Sequence, residues 1–346
     1  MNNKLLIMFV AFLFARPTFS QTINTYYDRQ WKPCKQTEAT YYSINKWEDS
    51  IWHREDFYMQ TNSLQMVAYY KDSASKIKHG SYKSYYANGF PYRIARFNNE
   101  LLVGLYLSYY PNGMIKDSFN FKMGTPFGFC GTWFANGNPK SEMQMDTIGN
   151  GTGISIGYFL DGEISFKGKL GNGLQKRGNW FYYHSNGKKA SVFQYSKEEA
   201  VLTNLNPQIK QDEFESIFYD STINYNNVIY YDTSGVQVEK INHINSMPEF
   251  TKGLEGWLIY LEKKLYSVAD FGARTYTGVA IYVTSFLVNL NGRIDNVILD
   301  NAIDPQLDKY IKDVLLFSPK WKPAMHNNRI IPYQHVQPIS LVLNTN

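Results

Sequence analysis

The chain has 346 residues, more than one average domain needs, and so calls for two or three folding units. Hydrophobic residues make up 44% and charged residues 19%, with 28 Tyr, 22 Phe and 7 Trp; this excludes general disorder and favours strands. A net charge of +5 with no Lys/Arg block beyond the short Ala74-Ser75-Lys76-Ile77-Lys78 argues against a nucleic-acid partner, and the two cysteines have no ligand spacing for a metal.

The N-terminus has the pattern of a secretory signal, residues 1–20. Lys4 supplies the positive start, Leu5 to Ala15 the apolar run, and Thr18-Phe19-Ser20 the small residues before a cleavage site. Eleven apolar residues are too few for a bilayer core that needs roughly 20. The expectation is an exported protein, periplasmic or associated with the outer membrane, with no transmembrane span in the mature chain. In such a compartment Cys34 and Cys130 either pair or remain two buried thiols.

Residues 21–56 are read as a lead-in cap in which Tyr26, Tyr27, Trp31, Tyr41, Tyr42, Trp47 and Trp52 punctuate polar sequence. Glu48, Asp49, Glu55 and Asp56 lie near His53. They are read as a solvated charged face, with a hydrolase-type carboxylate pair as the competing reading.

Residues 57–200 repeat a phrase seen most clearly at Gly104-Leu105-Tyr106-Leu107-Ser108-Tyr109-Tyr110-Pro111-Asn112-Gly113. Its turn pairs are Asn88-Gly89, Asn112-Gly113, Asn136-Gly137, Asp161-Gly162 and Asn186-Gly187, in steps of 24, 24, 25 and 25 residues. Nine residues before each turn glycine stands another glycine, and four before it an aromatic: Tyr85, Tyr109, Trp133, Tyr158 or Tyr183. Asn-Gly suits two-residue hairpin turns, and polar–apolar alternation after it marks a half-buried strand. Each unit is therefore predicted to be one β-hairpin, and the series an elongated antiparallel meander burying an aromatic stripe. The opening glycine is predicted to let adjacent backbones approach closely. Stacking on a ligand or glycan is the alternative use of the aromatics.

This phrase resembles MORN-type repeats, in particular the variant units of bacterial exported and antitoxin-like proteins. It departs from them at Cys130, Ser155, Asp161 and His184. The resemblance implies a hairpin scaffold for protein or membrane contacts and no fixed chemistry.

Residues 201–246 read as a connector with one hairpin, Asn227–Tyr231 and Val236–Ile241, and a short helix at Glu198–Leu205 precedes it. From Met247 the order is helix, hairpin, helix, strand. The first helix is predicted to bury Leu254, Leu258, Leu261 and Leu265; Asn291-Gly292 turns the hairpin; Asp304-Pro305 opens the second helix. Opened by Pro248-Glu249-Phe250 and carrying Trp321-Lys322-Pro323-Ala324, residues 247–346 resemble the C-terminal domain of TonB energy transducers. That resemblance implies two helices on a three-stranded antiparallel sheet, an α+β unit in a β-rich chain. It also implies binding of an envelope protein, such as a TonB-dependent outer-membrane transporter, by β-strand addition. Tyr333, Gln334, His335, Val336 and Gln337 are the candidate edge. The chain lacks the usual membrane anchor and Pro-rich spacer of a transducer, so partner binding carries over rather than energy transduction.

No phosphate loop, nucleophile elbow or metal-ligand spacing stands in the sequence, and no cofactor is implied. The functional expectation is a non-enzymatic interaction protein of the cell envelope; the alternative is a carbohydrate- or peptidoglycan-binding repeat protein.

Overall fold

A computed structural model describes residues 22–195, 225–239, 245–266, 278–299 and 305–343. The signal segment, the helix expected at Glu198–Leu205 and the cap expected from Asp304 lie outside the described residues.

A 17-stranded antiparallel sheet runs as a meander in which strands pair with their neighbours in sequence. Its strands are β1 (Thr22–Tyr27), β2 (Tyr41–Glu48), β3 (Ile51–Tyr58), β4 (Leu64–Tyr70), β5 (Lys78–Tyr85), β6 (Pro91–Asn98), β7 (Leu101–Leu102), β8 (Gly104–Tyr109) and β9 (Ile115–Lys122). They continue as β10 (Thr125–Trp133), β11 (Pro139–Met145), β12 (Gly153–Tyr158), β13 (Ile164–Gly171), β14 (Gln175–Tyr183), β15 (Lys189–Tyr195), β16 (Tyr225–Tyr231) and β17 (Gln237–Val238). The stretch read as a lead-in cap thus supplies β1 to β3 of this same sheet.

One face holds the core. Across the strands a buried row mixes large and small side chains: Tyr82 lies between Ala68 and Ala95, Tyr106 pairs with Phe119, and Cys130 with Met143. Burying such a side chain stabilises by roughly 1.5–3 kcal/mol. Where the aromatic is replaced by Ser155, its partner is Gly168, and the indole of fully buried Trp180 lies on that glycine, stacked with Phe166 at 5.8 Å. The departures at Cys130 and Ser155 are therefore packing substitutions. Both cysteines are free, and burial pushes the Cys130 thiol up to about 11.

Nearer the turns, the same face carries a buried polar row. Ser108 Oγ donates to the Asp117 carboxylate, Thr132 and Ser141 share a 2.8 Å hydrogen bond, and Arg54 Nε donates to Asp56 at 2.7 Å. Asp56 is 4% exposed, which corrects the expectation of a solvated face for this residue; Glu48 and Asp49 are exposed as expected. It points to the core side with Ser43 and Met66, its cross-strand neighbours. Burial raises its pKa, and Arg54 offsets part of that rise.

The repeat turns differ from the two-residue type. Gly113 N–H donates to Tyr110 O while Tyr110 N–H donates to Met114 O, and only the glycine has positive φ, +82°. This is a three-residue loop with a bulge glycine. Asn112 is not in the left-handed region; its carboxamide instead accepts from Met114 N–H and donates to Ala135 O of the next turn. Asn88 bonds to Pro111 O and Asn186 to Thr233 O in the same way, and at the Asn136 turn Asn138 reaches Leu160 O instead, so these turns are stitched to the next. True two-residue turns with both residues at positive φ occur at Asp49-Ser50, Asn99-Glu100 and Met123-Gly124. The opening glycines divide: Gly104 has φ +71° and nothing within 4 Å of a built Cβ, so backbone conformation requires it, whereas a Cβ at Gly153 would sit 2.4 Å from the backbone oxygen of Gln144, the close approach expected.

The C-terminal unit consists of β18 (Glu249–Phe250), α1 (Gly253–Leu265), β19 (Gly278–Val288), β20 (Ile294–Leu299), α2 (Pro305–Leu316), β21 (Trp321–Lys322), β22 (Ala324–His326), β23 (Arg329–Ile331) and β24 (Tyr333–Leu343). Its three-stranded antiparallel sheet has the order β20-β19-β24. Phe250 pairs with Trp321, so the Pro-Glu-Phe and Trp-Lys-Pro-Ala segments meet in one short ladder. The apolar face of α1 is corrected: Trp257, Leu261 and Leu265 are buried, while Leu254 and Leu258 are 72% and 51% exposed. Trp257, 1% exposed, rests against Phe250, Phe286 and Trp321, and this larger ring turns its own stripe inward. On α2, Leu307, Ile311, Val314 and Leu315 are buried, whereas Leu316 is exposed.

Candidate functional site

Tyr333, Gln334, His335, Val336 and Gln337 open β24. They pair with Val288, Leu287, Phe286, Ser285 and Thr284 of β19. Among the described residues no strand pairs with the other edge of β24. Pro338 sits within the strand opposite Val283, a position a proline tolerates at a sheet edge.

The side chains of this edge fall into two sets. His335 packs between Phe286, at 5.1 Å, and Trp321, at 5.5 Å, and burial pushes its pKa down. Gln337 Oε1 accepts from Trp257 Nε1 at 2.9 Å, and Gln337 O accepts from Thr284 Oγ1 at 2.7 Å. These two fix the strand to α1 and to the core. Val336 points to the opposite face and is 59% exposed, and Gln334 Nε2 is buried with no hydrogen-bond partner. The arrangement is a rigid strand with an open backbone edge, suited to pairing rather than to bond-making chemistry.

The residues just before this edge were legible in the sequence only as a turn. Asn327 and Asn328, at φ +52° and +65°, form the two-residue turn of the β22–β23 hairpin, and that hairpin seats on the repeat sheet. Ser191 Oγ donates to Asn327 O at 2.7 Å, and Asn328 Nδ2 donates to Ala190 O at 3.0 Å and Tyr231 O at 2.9 Å. Arg329 is 4% exposed; its guanidinium lies 4.8 Å from the centre of the Tyr182 ring. His326 meets the same ring edge-on at 6.4 Å. Burial, with Arg329 and Lys176 nearby, pushes the His326 pKa down to about 3. A second contact joins Ile298 of β20 to Tyr110 and Ala135 at the repeat turns. The Asn-Asn pair signals the turn, but nothing local in the sequence says what it rests on.

The repeat-turn residues Asn88, Gly89, Asn112, Gly113, Asn136, Gly137, Asp161, Gly162, Asn186 and Gly187 all stand at hairpin ends along one side of the sheet. Tyr85, Tyr109, Trp133, Tyr158 and Tyr183 stand half-buried on the face opposite the core. Near the first hairpins, Glu48 lies 3.9 Å from His53, and Asp56 is held by Arg54. Among the described residues no cluster of three or more His, Cys, Asp or Glu side chains is placed to hold a metal, and no helix is long and apolar enough to cross a membrane.

The family model of the MORN repeat variant matches residues 78–99 and 102–123, the hairpins β5–β6 and β7–β9. No curated protein and no solved structure matches the chain.

Proposed function

We propose that the protein is an exported, non-enzymatic scaffold of the cell envelope. In it the hairpin array carries a TonB C-terminal-like module, and that module takes an extended segment of a partner protein along Tyr333–Gln337. What carries this reading is that among the described residues β24 is paired on one edge only, while its side-chain contacts tie it to α1 and the core. Main-chain hydrogen bonds would supply the affinity, and the outward Val336 would contact a side chain of the added strand. Outer-membrane transporters with an extended periplasmic segment are the partner class that the C-terminal resemblance implies. The MORN-variant repeats fit the scaffold role, since such repeats are built for binding rather than catalysis.

The test uses a fluorescent peptide of such a periplasmic segment and the whole chain. Saturable binding is the expected result. Val336→Pro and Gln337→Pro are then compared, because successive N–H groups point to opposite edges. The one whose N–H faces outward should abolish binding while thermal melting stays cooperative. No binding by the wild type, or equal binding by both variants, would sink the proposal. Cell fractionation with a C-terminal tag tests export separately.

A further inference from the structure

On the face opposite the core, between β8 and β13, the meander exposes a platform that the edge strand does not use. Leu105, Phe129 and Ile154 are 51%, 50% and 52% exposed, so this face is open to solvent there. Gln144 lies between Phe129 and Ile154 in the cross-strand register, and Lys169 stands next to Ile154. Alongside them runs the aromatic series Tyr109, Trp133 and Tyr158, one ring per repeat. Trp133 reaches back over its own strand: a Cβ at Gly131 would sit 2.6 Å from its Cη2. The outer edge of the indole therefore covers the glycine, and the ring stands half-buried on this face.

The strands of this face are predominantly basic, with Glu142 the one strand carboxylate that lies on it. The strands from Lys78 to Tyr195 carry carboxylates only at Asp117 and Glu142. Asp117 is buried on the core side, and Glu142 accepts a hydrogen bond from Tyr158. Facing solvent on the platform side are Lys83, Arg96, Lys167, Lys169 and Lys189, and Lys167 Nζ stands 5.8 Å from the centre of the Tyr183 ring.

We propose that this face binds an acidic, β-1,4-linked polysaccharide. Flat aromatic faces take the apolar faces of pyranose rings, Gln144 and Asn120 offer amides to hydroxyls, and the lysines meet carboxylates. The spacing selects the polymer. Rings in consecutive repeats are two strands apart, about 10 Å, given a strand spacing of about 4.8 Å. That step suits a β-1,4 chain, in which every second sugar presents the same face. It is too long for bases stacked one after another on a single strand of nucleic acid.

The test titrates the whole chain with β-1,4-linked oligomannuronate of six or more sugars. Matched neutral β-1,4-mannohexaose and oligo-dT are the comparison ligands, at two salt concentrations. The expected result is saturable binding of the uronate, at least tenfold weaker binding of the neutral chain, and weakening by salt. Trp133→Ala should weaken uronate binding tenfold or more, Trp133→Phe should largely restore it, and Lys167→Glu with Lys169→Glu should remove the preference for the acid. If Trp133→Ala does not fold, Tyr109→Ser on the neighbouring repeat takes its place. The proposal is overturned if the wild type ignores the uronate or prefers oligo-dT. It is also overturned if the aromatic variants bind as well as wild type, which would mean simple ion exchange. The peptide-binding edge is read in a separate assay, so failure of one proposal does not touch the other.

Discussion

The array and the C-terminal unit are both built around aromatic cores, yet they gain cooperativity in different ways. In the array every strand pairs with strands adjacent in sequence, and each buried ring touches its own hairpin and the next. In the C-terminal unit the ladders join distant segments: Phe250 to Trp321, and β19 to β24 across both β20 and α2. The first is a quasi-one-dimensional object whose stability is a sum of neighbour terms; the second has one core that forms or fails as a whole.

The strongest way to break this comparison is to delete one fully buried indole from each. Trp180→Ala and Trp257→Ala should each lose about 3–5 kcal/mol. Measured by hydrogen exchange, the Trp257 variant should lose protection over β18 to β24 together. The Trp180 variant should lose it around β12 to β15 while β2 to β6 remain protected. Uniform loss along the array would show that it is a single cooperative unit.

The junction between the two regions should respond to acid. His326 is held neutral in the fold, with a pKa near 3 against an ordinary value of about 6.5. The unfolded or undocked state therefore binds the extra proton between these values. The associated stability is full above about pH 6.5 and falls by up to about 1.4 kcal/mol per pH unit as pH drops towards 3. Denaturant midpoints followed at the C-terminal tryptophans should show this slope, and His326→Gln should flatten it; an unchanged slope would mean another group titrates.

A smaller effect is expected from Asn328→Gly, which keeps the left-handed turn but removes the bonds to Ala190 O and Tyr231 O. The loss should be about 1–3 kcal/mol, and limited proteolysis should then separate the C-terminal unit from the array more readily. The smallest effect is that of Asn112→Ala, which removes one local and one lateral bond at a turn, about 1 kcal/mol by chemical denaturation. If Gly113→Ala costs no more than Asn112→Ala, the positive φ of the turn glycine is not the constraint inferred from its geometry.

The hairpin repeat was legible because its signals are local. A turn glycine, an aromatic four residues earlier and alternation afterwards specify one hairpin, and repetition specifies the series. The order of elements from Met247 was legible for the same reason. What sequence reasoning missed depends on partners far away in the chain. Asp56 looked solvated because Arg54, Ser43 and Met66 converge on it only in the sheet. Leu254 and Leu258 looked buried because helical spacing alone allows two stripes, and the ring of Trp257 decides between them. The carboxamide of Asn112 looked like an aid to backbone conformation, yet it bonds to a turn more than twenty residues on.

By itself the sequence determined a β-rich chain of repeated hairpins followed by a small α+β unit, because propensity, turn chemistry and alternation act within a few residues. The tertiary structure alone decided which aromatics face the core and which stand on the open face. It also decided that Cys130 and Ser155 are accommodated by neighbouring rings, and that the Asn327–Asn328 hairpin is the seat of one unit on the other. The reason is that burial and electrostatic environment are set by whichever surfaces the fold brings together, and those surfaces come from segments that the local pattern cannot connect.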